Sequence, residues 1–360
     1  MTEPQPFIFD VHLDLSMNAM EWNRDLTQPL EKIRICEANQ TDKPDRSMGT
    51  VCLPEMRKGN VGLCVATQIA RYTKQKNPLP GWHSPAQAWA QSQGQLSWYN
   101  EVERQGELTQ ICNLEQLESH LEKWSTGQNK QLPIGYVLSL EGADSIITLQ
   151  HLESAYEKGL RAIGPAHYGP GTYAPGTGES GPLGNGATEL LREMERLNII
   201  LDVTHLSDTS LDQALDTFSG TVWASHCNCR TLVPGERQLN DHQLKRLIER
   251  GGVIGAALDA WMLIPDWQRG LTTPQSSGVK LSHVANHIDY VCQLAGNSKH
   301  ACIGTDLDGG FGLEQSPGDM ESIADLQKLP SILGKRGYST DDINNVMGLN
   351  AIDILRSAWK

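Results

Sequence analysis

The chain has 360 residues, with 30 basic and 43 acidic side chains and a formal net charge of −13. An acidic balance of this size disfavours nucleic acid or an anionic membrane as the main partner. The eight cysteines form no CxxC pair and no regular framework, which is the usage of reduced thiols in a cytoplasmic protein. The N-terminal string MTEPQPFIFD has neither the basic nor the apolar region of a signal peptide. No apolar run approaches the roughly 18 residues that a membrane span requires.

Eight β-prone runs follow in chain order, at 6–12, 62–70, 134–140, 161–166, 199–204, 221–225, 252–258 and 301–305. They are nearly continuous in Ile, Val, Leu and Ala, as parallel strands buried on both faces are. Amphipathic helical patterns lie between them, for example at 187–197, 207–217, 240–250 and 280–295. This alternation predicts an α/β chain folded as a (β/α)8 TIM barrel, read as one domain over 1–360. Two insertions interrupt the pattern. Residues 73–100 carry Pro78, Pro80, Trp82, Trp89, Trp98 and Tyr99 and read as a loop followed by a helix. Residues 168–186 hold seven Gly and three Pro directly after His167. They read either as a flexible connection or as a substrate-covering loop with backbone donors.

The chemistry sits where the apolar runs end. FDVHLDL brings His12 and Asp14, LSLEGAD brings Glu141, ILDVTHLSD brings His205, TVWASH brings His226, and ACIGTDLDGG brings Asp306. On a barrel these ends share one mouth. Alternation along a strand places His12 and Asp14 on one face. Imidazole nitrogen and carboxylate oxygen together suit Zn2+, and less exclusively other divalent cations. A lone buried carboxylate is costly, so Glu141 fits best between two cations, with one oxygen to each. A single histidine or aspartate of this kind would count for little, since most are satisfied locally or cap a helix. The set predicts a binuclear metal site. Other candidates read as structural. His283 and His287 fall on a helix expected outside the barrel. The HCNC run at 226–229 lacks the second half of a zinc finger. His83, His120, His151 and His242 read as surface or loop residues.

These strings resemble the membrane dipeptidase (renal dipeptidase) family of zinc peptidases in the amidohydrolase superfamily. The resemblance runs from residue 8 to about 356 and includes DVHLD at 10–14, LPEMRKGNVG at 53–62, SLEGAD at 139–144, DVTHLSD at 202–208, ASH at 224–226, GTDLDG at 304–309 and GLNAIDIL at 348–355. It implies that His12 and Asp14 hold one metal, His205 and His226 the other, and that Glu141 bridges them. It further implies that His167 binds the substrate and polarises its carbonyl, that Arg237 pairs with the terminal carboxylate, and that Asp306 is the acid/base. Asp308 would support the loop. The implied activity is hydrolysis of a dipeptide by a hydroxide that bridges two divalent cations, zinc foremost. Two alternatives stay open: a metallohydrolase of another amide, such as a β-lactam or an N-acyl amino acid, and a metal-bound homologue without catalysis. The expected partner is a small-molecule dipeptide, and a homodimer is the expected assembly. Leu13 stands where the family usually has Asn, on a side chain expected to face away from the metals. GPAHYGPGTY replaces a threonine-rich approach to the substrate histidine, which bears on the side-chain preference of the pocket.

Overall fold

The computed structural model describes residues 5–74, 77, 79–126 and 132–360; Pro78 of the first insertion lies outside the described residues. Among the described residues, nine strands form one parallel sheet: β1 (Ile8–Leu13), β2 (Val61–Ile69), β3 (Leu108–Gln110), β4 (Ile134–Glu141), β5 (Leu160–Gly164), β6 (Ile200–Asp202), β7 (Val222–Ala224), β8 (Val253–Ala256) and β9 (Ala301–Ile303). The order is β2-β1-β9-β8-β7-β6-β5-β4-β3, and an additional pairing of β2 with β4 closes the ring. Eight strands therefore make the expected (β/α)8 barrel. The ninth, β3, pairs with β4 over Ile134–Tyr136, below the stretch from Leu138 onward that pairs with β5. The sequence reading missed β3: its LTQ is too short and polar to show as an apolar run.

Phe9, Val11, Leu63, Val65, Val137, Ala162, Ile200, Trp223, Val253 and Cys302 pack as one buried cluster from the barrel strands, and the helix Asn350–Ala358 packs against it through Ala351, Ile352 and Leu355. The Asn350 amide donates to the carbonyls of Ser298 (2.6 Å) and Ala301 (2.8 Å), just before and at the start of β9. That helix closes the N-terminal end of the barrel. The site is consequently left to the other end, where the strands finish.

The predicted helices fall at Ala187–Arg196, Asp208–Thr217, Asp241–Glu249 and Leu281–Ala295, and the first insertion ends in the helix Pro85–Arg104. Ser207 caps the helix that follows His205, accepting from the Ser210 amide. His120 departs from the reading. It is buried on the helix Leu114–Ser125, with Nε2 2.7 Å from the Gly62 carbonyl. A helix facing the barrel buries whatever its inner stripe carries, and a histidine there is tolerated once its ring nitrogen finds a carbonyl. His287 is also buried, and its Nδ1 accepts from the Cys229 amide at 3.1 Å. This is the structural role expected for both His287 and the HCNC run. Among the described residues no helix is long and apolar enough to cross a membrane.

Candidate metal centre

His12 lies within β1 and Glu141 is the last residue of β4, while His167, His205, His226 and Asp306 follow the ends of β5, β6, β7 and β9 by two or three residues. The short strands leave these side chains on tight turns. His205 (φ 68°) and Asp306 (φ 58°) sit in left-handed backbone, which a side chain adopts only when its surroundings hold it there. Alternation alone does not bring His12 and Asp14 together. Val11 belongs to the inward cluster, and the register of β1 on β2 shifts between Asp10 and Leu13. The irregularity turns His12 toward the mouth, where its Nε2 lies 3.8 Å from Asp14 Oδ2.

Ligand-type atoms converge from all six positions. Glu141 Oε1 is 3.1 Å from His205 Nε2, 3.2 Å from His226 Nε2 and 3.8 Å from His12 Nε2. His12 Nε2 is also 3.7 Å from Asp306 Oδ1. Three groups have ligand atoms all within 4.8 Å of one another: His12, Asp14 and Glu141; Glu141, His205 and His226; and His12, His226 and Asp306. Glu141 belongs to the first two, as a bridging carboxylate would.

The surroundings favour cations. Burial would push the His12 imidazole down, but Glu141, Asp14 and Asp306 outweigh it and lift the group to about 10. Burial raises Glu141 to about 8 and Asp306 well above the carboxylate range. A divalent cation among these carboxylates would favour their charged form against the cost of burial. His12 Nε2 is buried and has no hydrogen-bond partner. An orphaned buried ring nitrogen among desolvated carboxylates fits a metal ligand better than any purely structural role.

Partners behind the ring set their orientation. His205 Nδ1 lies 2.8 Å from Thr177 Oγ1. Ser225 Oγ lies 2.8 Å from His226 Nδ1 and 3.3 Å from His12 Nδ1. Thr67 Oγ1 donates to Asp14 Oδ1 at 2.6 Å. In each ring the hydroxyl can accept from Nδ1–H, which leaves the Nε2 lone pair free. None of these hydroxyls was picked out from sequence.

Residues 168–186 form a braced wall. Thr177 N–H donates to the His167 carbonyl (2.9 Å), Gly169 N–H to the Thr177 carbonyl (3.0 Å) and Gly176 N–H to the Gly169 carbonyl (2.8 Å). A Cβ at Gly176 would stand 1.7 Å from the His167 oxygen, so the loop closes this tightly only with glycine. Of the two readings of this segment, the flexible connection does not describe these closures, and in the substrate-covering reading the donors of Gly169, Gly176 and Thr177 are spent within the wall.

Two cavities meet at Asp14, His167, Gly309 and Gly310. One, of about 550 Å³, is lined also by Glu141, Tyr168, Arg237, Asp259, Trp261 and Asp306. The other, of about 350 Å³, is lined by Glu21, Trp22, Lys43, Arg71 and Trp82 among others. Arg237 is buried; it donates to the His226 carbonyl at 3.0 Å and to Cys227 Sγ at 3.5 Å. Asp308 faces away from the cavity and takes the Thr50 amide (2.7 Å), the Thr50 hydroxyl (2.7 Å) and the Val51 amide (3.0 Å). That is the loop support expected of it.

The family model for membrane dipeptidases (peptidase family M19) matches residues 4–360. The chain belongs to this family. Relatives within reach of sequence include the dipeptidase tcpJ of Claviceps purpurea, 28% identical over 233 residues, a match that covers 62% of this chain and 51% of that protein. The match thus spans about half the length of that relative. Among solved structures, a metallopeptidase described as dipeptidase AC superposes with a TM-score of 0.79 at 20% identity, over 99% of both chains. A metallopeptidase from Rhodobacter sphaeroides, bound to a phosphinate mimic of the dipeptide L-Ala-D-Ala, superposes with a TM-score of 0.77 at 19% identity, over 99% of this chain and 100% of that one. At these identities the superpositions establish the shared barrel fold. Membership in this family supports metal-dependent dipeptidase chemistry in general.

Proposed function

We propose that this chain hydrolyses dipeptides with two divalent cations, zinc foremost. The observation that carries the reading is the pair of ligand groups sharing Glu141 at the floor of a cavity that also holds Arg237. His12, Asp14 and Glu141 would hold one cation, and Glu141, His205 and His226 the other. When bound, such ions supply a hydroxide nucleophile near neutral pH and polarise the scissile carbonyl.

The remaining work falls to the protein. Arg237, buried and aimed into the cavity, binds the substrate's terminal carboxylate through its fork of donors. His167, kept well below the usual imidazole range by burial and by Arg71 and Arg237, stays neutral and donates to the developing oxyanion. A single donor of this kind is worth roughly 3–4 kcal/mol of barrier. Asp306, on its strained turn beside His12, takes the proton of the attacking water and delivers it to the leaving amine.

The test is elemental analysis of the purified protein alongside a dipeptide panel, on wild type and Glu141→Ala. The reading expects about two metals per chain, falling sharply in the variant together with turnover. One metal or none in wild type, unchanged by the substitution, would remove the bridge. Two metals without turnover of any dipeptide would move the assignment to another amide or to a non-catalytic role.

A further inference from the structure

Four histidines crowd one mouth, and their Nε2 atoms all point toward Glu141. Behind three of them stands a hydroxyl: Thr177 behind His205, and Ser225 behind both His226 and His12. Behind the fourth stands something chemically different. Arg71 Nη2 lies against His167 Nδ1, and its Nη1 donates to the Pro80 carbonyl at 2.7 Å. A hydroxyl can accept a ring proton; a guanidinium cannot, because it carries donors only. Ser225 also has the capacity the arrangement asks of it. Its two lone pairs can serve two Nδ1–H groups while its own hydrogen points to Thr204 Oγ1, 3.3 Å away.

We infer that Arg71 is a positioning residue that keeps His167 out of the metal-ligand set and makes it a hydrogen-bond donor. With Nδ1 occupied by an arginine N–H, the single ring hydrogen of His167 must sit on Nε2. That atom faces Glu141 Oε2 at 3.8 Å, close enough to reach a carbonyl placed beside the cations. A protonated Nε2 has no lone pair to give a metal. The same mouth therefore sorts identical side chains into ligands and a donor by what stands behind each ring. Arg71 follows β2, so a residue from one side of the barrel sets the chemistry of a residue that follows β5. It also lines the smaller cavity. The inference rests on the dipeptidase reading for the use of the donor, but not for its existence.

The decisive measurement is the ring 15N spectrum of histidine-labelled, Zn2+-loaded protein, with His167 identified by its loss in His167→Gln. The expected wild-type pattern is a hydrogen on Nε2 and a bare Nδ1. Arg71→Lys, again a donor only, should keep that pattern and restore most of the activity. Arg71→Glu accepts from Nδ1–H and should reverse it, with unchanged metal content and a fall in kcat on the order of 10²–10³-fold at nearly constant KM. A wild-type hydrogen on Nδ1 would overturn the inference, as would an Arg71→Glu ring with its hydrogen still on Nε2. If Arg71→Glu fails to fold, the wild-type spectrum decides alone: a hydrogen on Nε2 supports the inference and one on Nδ1 overturns it. The expected tautomer in a protein that cleaves no dipeptide would overturn the functional reading and leave the role of Arg71 standing.

Discussion

Ser225 sits behind two rings at once, and that sharing sets how far its loss should spread. Removing its hydroxyl frees the orientation of both His12 and His226, one from each ligand group. Ser225→Ala should weaken both cations, by about 10–100-fold in affinity. Thr177→Val touches only His205 and should weaken one cation and spare the other. Titration with a chelator, followed by metal analysis, would show one release step moving in Thr177→Val and both in Ser225→Ala; equal behaviour of the two variants would contradict the assignment. Asp306→Asn tests the proton path. It keeps size and position, so metal content should hold while kcat falls by orders of magnitude, and retained turnover would remove Asp306 from that role. His12, Asp14, Glu141, His205, His226 and Asp306 were legible because each ends an apolar run in its own stretch of sequence, whereas Arg237, in GERQLND, came only from the resemblance. The same rule applied to VGLCVATQIAR ends on Arg71, which the sequence reading passed over. Thr67, Thr177 and Ser225 were not legible. Hydroxyls are common at strand ends, and only the fold brings Thr67 to Asp14 or Thr177 to His205.

Among the elements, the wall at 168–186 depends on its tightest turn. Gly176→Ala forces a methyl into the His167 carbonyl, which either shifts His167 or lifts the segment and takes Thr177 from His205. The expected result is a large loss of activity with a smaller change in unfolding free energy, because Gly176 itself lies at the mouth, away from the inward cluster of the barrel. Steady-state kinetics paired with urea denaturation would check the split, and parallel losses in both would refute it. Eight strands and the amphipathic helices between them could be read from periodicity, since burial on two faces or one writes itself into the residues. Their ends could not. The run at 199–204 forms a strand only over Ile200–Asp202. Asp202 then accepts from the amides of Thr204 and Ser225 (both 3.0 Å), so these amides turn to a side chain instead of a neighbouring strand.

For the molecule as a whole, buried histidines destabilise the fold as pH falls. Burial holds His287 down to about 4, while an unfolded histidine titrates near 6.5. The folded state thus binds this proton less readily than the unfolded one. Its contribution is fully present above about pH 6.5 and is lost as pH falls toward 4, by about 3 kcal/mol in all. His120 is held down by burial too and adds in the same direction. His287→Gln should flatten the fall in urea midpoint across this window relative to wild type at equal metal loading; an unchanged slope would show that other groups govern it. Closure and the barrel class were legible as a count of alternating units, whereas the plug formed by Asn350–Ala358 was not, because an amphipathic helix does not announce which end of a barrel it will cover.

The last strand, β9, joins the first through Asp10 and Ile303, and that pairing brings Asp306 to His12. The proposed ligands His12, Asp14, Glu141, His205 and His226 all precede β9 in the chain, but His12 is set opposite Glu141 only on a strand that β9 holds in the ring. Retention of the proposed ions would then report that the ring has closed, and a chain truncated before β9 should fail to keep them in metal analysis.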